Sequence, residues 1–141
     1  MTPAVLTLRR WRAVVLVVVA RLGELACESG LKALIARPRP VLNSPVADAS
    51  GYSLPSGHAG GAAAVYGSLV LLAVPLLRRW ARVLLWAARA LLVAAVAASR
   101  VLLGVHYPSD VTAGVALGLA WVGMAASLSA LPTPGVPDRD R

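Results

Sequence analysis

From Val111 to Leu131 the chain carries no charged side chain, and from Gly57 to Leu77 it carries none apart from His58. Runs of this length match the ~20 apolar residues that an α-helix needs to cross the hydrocarbon core of a bilayer. Lipid offers no partner for backbone N–H and C=O groups, so a spanning segment must satisfy them internally, and these runs commit to helix. Trp11 to Ala36 and Val83 to Gly104 are of similar length. Composition agrees, with 58% hydrophobic and 14% charged residues and a mean hydropathy of +0.72, well outside the soluble range. The expectation is an all-α integral membrane bundle of four transmembrane helices over residues 1–131. The polar, Pro-rich end PTPGVPDRDR leads us to expect a short disordered cytoplasmic tail at 132–141.

Within the runs, Pro75 is expected to kink or end the second helix, and Gly114 and Gly118, in GxxxG spacing, to let another helix approach closely. The first segment differs, because Arg21, Glu24, Glu28 and Lys32 recur at helical spacing on one face. An intramembrane ion pair between Arg21 and Glu24 is expected there, while Arg89 is expected to snorkel to the cytoplasm or to cap packing. RRWR before an apolar run also suits a cleaved signal peptide, but the polar stripe that follows and the lack of a small-residue cleavage site argue against one.

The net charge of +8 does not point to nucleic acid, because the basic residues cluster at the ends of the apolar runs. Cys27 is the single cysteine, so there is no intramolecular disulfide and no cysteine cluster for a metal. Arg9, Arg10, Arg12, Arg78, Arg79, Arg82, Arg139 and Arg141 flank one set of helix ends, which the positive-inside rule makes cytoplasmic. Lys32, Arg37, Arg39 and Arg100 lie on the opposite side, against that rule.

Three clusters on that opposite side explain most of the exception. KALIARPRP brings Lys32 and Arg39, PSGH brings Ser56, Gly57 and His58 to a helix start, and SRVLLGVHYPSD brings Arg100, His106 and Asp110. Two guanidinium groups and an ammonium suit a tetrahedral dianion. Ser56 and the Gly57 N–H add a helix N-terminus. Together they describe a phosphate pocket. A carboxylate at i+4 would fix the tautomer of His106 and leave its other nitrogen as a nucleophile, while His58 is placed to protonate a leaving oxygen and then activate water. With three cations around the equatorial oxygens, no metal or other cofactor is needed in this scheme. Arg37 alone among the outward cations has no role in it.

K-x6-RP at Lys32 to Pro40, PSGH at Pro55 to His58 and SR-x5-H-x3-D at Ser99 to Asp110 resemble, complete and in order, the three signature motifs of the type 2 phosphatidic acid phosphatase family. The resemblance implies a metal-independent membrane phosphatase acting on lipid phosphates or diphosphates. His106 would be the nucleophile, Asp110 its partner and His58 the acid, with Lys32, Arg39, Ser56, Gly57 and Arg100 as phosphate ligands. Short members of the family include polyprenyl-linked phosphatases, so polyprenyl-linked or phospholipid phosphates are the expected substrates. The setting would be the plasma membrane, with the active site extracytoplasmic. Members commonly have six membrane helices, so four imply a short member or a truncated start, and with less cover a homodimer or an open lipid entrance. A vanadate-dependent haloperoxidase would use the same pocket, though in a larger soluble helical protein. A non-catalytic lipid-binding protein would be expected to lack essential residues, and none is missing here.

Overall fold

The computed structural model describes residues 3–41 and 49–130. Leu42, the tail at 132–141 and the side chains of Arg9, Arg10 and Arg12 lie outside the described residues. Four helices follow one another: α1 (Pro3–Ile35), α2 (Gly57–Ala73), α3 (Arg79–Leu102) and α4 (Pro108–Ala130). A 3₁₀ turn, Val74–Leu76, ends α2. Pro75 accounts for it, since its ring and missing N–H cannot continue the α-helical ladder.

Among the described residues, three helices are long and apolar enough to cross a membrane: Gly57–Leu76, Arg79–Leu102 and Pro108–Leu128. At 33 residues α1 is the longest helix, but its charged stripe sets it apart from those three.

The bundle is held by close approach of α2 and α4. A Cβ on Gly114 would collide with the Ser56 carbonyl, and one on Gly118 with the Gly60 carbonyl and Ala63. The two backbones thus touch where the GxxxG spacing predicts. α1 closes on the same pair through Leu16, Ala20, Ala64, Val122 and Ala125, a core of mostly small side chains. The Trp121 ring lies against Gly23. α3 packs chiefly on α2 and buries little else than Val93. Its other faces expose Trp80, Val83, Leu84, Trp86, Leu91 and Leu92.

The expected ion pair is present, with Arg21 Nη1 2.6 Å from Glu24 Oε2 and Glu24 fully buried against Gly60 of α2. Of the two roles expected of Arg89, its placement argues against snorkelling. Its Nε and Nη2 are buried without hydrogen-bond partners among the described residues, beside Gly67, and its guanidinium lies 5.7 Å from the Trp86 ring. The side chain therefore turns into the bundle, where snorkelling would have carried it out.

Candidate active site

Each cluster is brought to the site by a helix end. α1 stops at Ile35, and Ala36 takes the left-handed conformation (φ 48°) while its N–H bonds the Lys32 carbonyl. The prolines that follow Arg37 and Arg39 favour extended backbone, and Ser53 pins that strand by donating from N to the Arg37 carbonyl (2.9 Å) and from Oγ to the Pro38 carbonyl (3.1 Å). At the far side, α3 ends in a turn closed by Gly104 (φ 69°), whose positive φ glycine adopts without strain. That reversal returns Val105 and His106 to the bundle. α4 then opens with Pro108 at its first position and Asp110 at its third, where Asp110 Oδ2 accepts the Tyr107 N–H at 2.9 Å. Finally, the Ser56 N–H donates to the Asp110 carbonyl (2.9 Å), tying the start of α2 to the start of α4.

These ends surround a cavity of about 710 Å³ lined by His106, His58, Arg39, Arg100, Lys32 and Gly57, and by further residues of α1, α2 and α3. Of the eight expected site residues, these six share it. Asp110 and Ser56 are fully buried behind its wall, and Ser56 Oγ has no hydrogen-bond partner among the described residues.

Geometry within the site refines the expectation for the histidine pair. Asp110 Oδ2 lies 3.6 Å from His106 Nδ1, and that nitrogen has no hydrogen bond among the described residues. The carboxylate is held elsewhere, by the Tyr107 N–H and by Arg37 Nη1 at 2.8 Å. Arg39 Nη1 lies 3.4 Å from His106 Nε2, a long contact in which only the guanidinium can donate. This assigns the proton to Nδ1, facing Asp110, and the lone pair to Nε2. Burial, followed by the Arg39 charge, pulls the His106 pKa below its ordinary value, against the opposing influence of the Ser53 backbone and Asp110. The direction favours the neutral form of the ring.

Two residues gain a place that their sequence positions had not suggested. Arg37 stacks on the Tyr107 ring, with its Cζ 4.2 Å from the centroid, while bonding Asp110 and Ser109 Oγ (2.7 Å). Glu28 bonds Lys32 Nζ at 2.7 Å and presses its carboxylate against Gly57, so the lysine meets a counter-ion already in the cavity. Its i,i+4 spacing to Lys32 was the available signal. Arg39 is likewise engaged, donating to the carbonyls of Val105 (2.8 Å), Ser50 (3.0 Å) and Gly51 (3.1 Å).

The arrangement couples a neutral, oriented imidazole to a cationic cavity with a second histidine on its wall. No curated protein matches the sequence. Among solved structures, the chain is similar to the first transmembrane PAP2 type phosphatidylglycerolphosphate phosphatase from Bacillus subtilis. The TM-score is 0.73 at 25% identity, over 91% of this chain and 70% of that one. Residues 12–131, a span that includes all three motifs and the greater part of the four helices, match the PAP2 superfamily, and the chain belongs to it.

Proposed function

We propose that the chain is a membrane lipid phosphatase that removes a terminal phosphate through a phosphohistidine on His106, with its active site on the extracytoplasmic face. The observation that carries this reading is the shared cavity: His106, His58 and the three motif cations open onto one space between α1, α2 and α3. Superfamily membership and the likeness to a membrane phosphatase support the lipid phosphatase class. α1 is read as the fourth span, because its charges face inward while Trp11, Val14, Val15, Val18 and Leu22 are exposed on its outer side.

In the first step the Nε2 lone pair attacks phosphorus and the P–O bond to the lipid breaks, its electron pair leaving on the lipid oxygen, which takes a proton from His58. Asp110 stabilises the imidazolium charge that develops. In the second step His58 takes a proton from water as that oxygen attacks phosphorus, and the P–N electron pair returns to Nε2. Arg39, Arg100 and Lys32 balance the charge on the equatorial oxygens, with Glu28 yielding Lys32 to the substrate.

Phosphate release by the purified, detergent-solubilised protein across a panel of phospholipid and polyprenyl phosphates tests this reading, and activity is expected to persist in EDTA and to be inhibited by vanadate. Loss in EDTA that Mg²⁺ restores would overturn the metal-free scheme. The acid limb of kcat/KM is expected below the ordinary histidine value of ~6.5, because protonation of His106 removes the nucleophile and its pKa is depressed. Arg39→Gln should move that limb to higher pH as well as lowering the rate. A limb that stays put when the Arg39 charge is removed would show that His106 does not set it.

The outward face rests on the loop arginines. In a Cys27→Ser background, a cysteine at position 50 should react with a membrane-impermeant thiol reagent in intact cells, and one at position 133 should not. The reverse pattern would place the site on the cytoplasmic side.

A further inference from the structure

The catalytic cavity does not become purely apolar beyond its motif residues. Arg21 lies on its wall, where its side chain reaches α2 three residues, about 4.5 Å of helix rise, beyond His58. Its guanidinium packs on Gly61 of α2, with Cζ and Nε each 3.4 Å from where a Cβ would stand. Nη1 is held by Glu24, and Nε and Nη2 make no hydrogen bond among the described residues. Tyr66, eight residues along α2 from His58, lines the same cavity, together with Leu25, Val65 and Val96. A guanidinium anchored on one edge by a buried carboxylate and free on the other is a fixed donor for oxygen acceptors. In a membrane-embedded setting such a group calls for a function.

We infer that Arg21 is a specificity-determining residue that grips acceptor oxygens between the terminal phosphate and the acyl chains of the substrate, so that the preferred substrate is a glycerophospholipid phosphate. This rests on the phosphatase reading above. A glycerophospholipid presents such oxygens in its ester carbonyls and, where the terminal phosphate is set off by a head group, in an internal phosphodiester. A polyprenyl monophosphate presents only hydrocarbon beyond its phosphate and offers the free Arg21 N–H groups no acceptor.

The test compares wild type, Arg21→Lys and the paired substitution Arg21→Gln with Glu24→Gln, which removes both charges and leaves no buried carboxylate unpaired. Each is assayed on phosphatidylglycerol phosphate, phosphatidic acid, a polyprenyl monophosphate and a water-soluble aryl phosphate. The paired variant should raise KM for the glycerolipids about tenfold with kcat little changed, and Arg21→Lys should fall between. KM for the polyprenyl and aryl substrates should stay within about twofold. A larger rise on phosphatidylglycerol phosphate than on phosphatidic acid assigns the contact to the phosphodiester, and equal rises assign it to the ester carbonyls. Equal loss on all four substrates, no loss on any, or a wild-type preference for the polyprenyl monophosphate overturns the inference. Wild type that releases phosphate from none of the four, the aryl phosphate included, would instead overturn the phosphatase reading itself.

Discussion

His106→Ala is expected to abolish phosphate release from every substrate and to leave no acid-labile phosphoenzyme in a rapid-quench trap, whereas His58→Ala should still form one from an activated aryl phosphate. The difference follows from where the two rings sit. His106 is buried, with its Nε2 lone pair beside Arg39 in the cavity and Nδ1 turned to Asp110, so no other described group replaces it as nucleophile. His58 stands exposed at the first turn of α2, where its proposed contribution is a proton to the leaving oxygen. An alkoxide leaving from a lipid needs that proton, and its loss should slow turnover by roughly 10²–10⁴-fold. An aryl oxide does not, so phosphorylation by an aryl phosphate should be far less affected. Dephosphorylation still needs His58 to activate water, and the phosphoenzyme should accumulate. Equal losses on both substrate types, with no accumulation, would reverse or merge the two assignments.

Sequence and structure agree most closely where a local rule decides. The uncharged runs became helices, Pro75 ended α2, and the glycine pair on α4 set the α2–α4 contact. The motif residues converge because each stands at a helix end on the same side of the bundle, an outcome that follows from segment length and turn position alone. α1 shows the limit of the same reasoning. Hydropathy averages over all faces of a helix, so charges that turn inward to line a cavity weigh as heavily as charges exposed to lipid.

What the sequence withheld are contacts fixed by packing over long chain separations. Arg37 and Arg39 stand two residues apart in one RPRP stretch, and nothing in that stretch distinguishes the one that reaches Asp110 from the one that reaches His106. The choice depends on how Ser53 clamps the Arg37 and Pro38 carbonyls. The i,i+4 relation between His106 and Asp110 was legible, but the 3.6 Å gap and the competing bonds from Tyr107 and Arg37 were not. Glu28 was visible on the polar stripe, yet its position against Gly57 depends on the approach of α1 to α2.

Asp110→Asn is expected to lower kcat by on the order of 10³–10⁴-fold, by analogy with other carboxylate-oriented histidine nucleophiles and bases. The side chain is fully buried and carries three duties at once: it accepts from Arg37, accepts from the Tyr107 N–H, and faces His106 Nδ1. An asparagine can keep one oxygen acceptor, but an amide NH₂ turned to the ring would favour the tautomer with its proton on Nε2, which is not nucleophilic, and would stabilise no imidazolium. Arg37→Ala should cost less, about 10–100-fold, because Arg37 does not line the cavity and its side chain remains 34% exposed to solvent. It touches the reaction only through Asp110. Combined with Asp110→Asn it should therefore add little, since residues acting through one another are not additive. The measurement is kcat for the two single variants and the double, each checked for monodispersity in detergent. The conservative Arg37→Lys should recover part of the loss by keeping a cation at Asp110. If the two effects multiplied in full, Arg37 would act independently of the Asp110–His106 pair, and its 2.8 Å contact with the carboxylate would have no part in orienting the nucleophile.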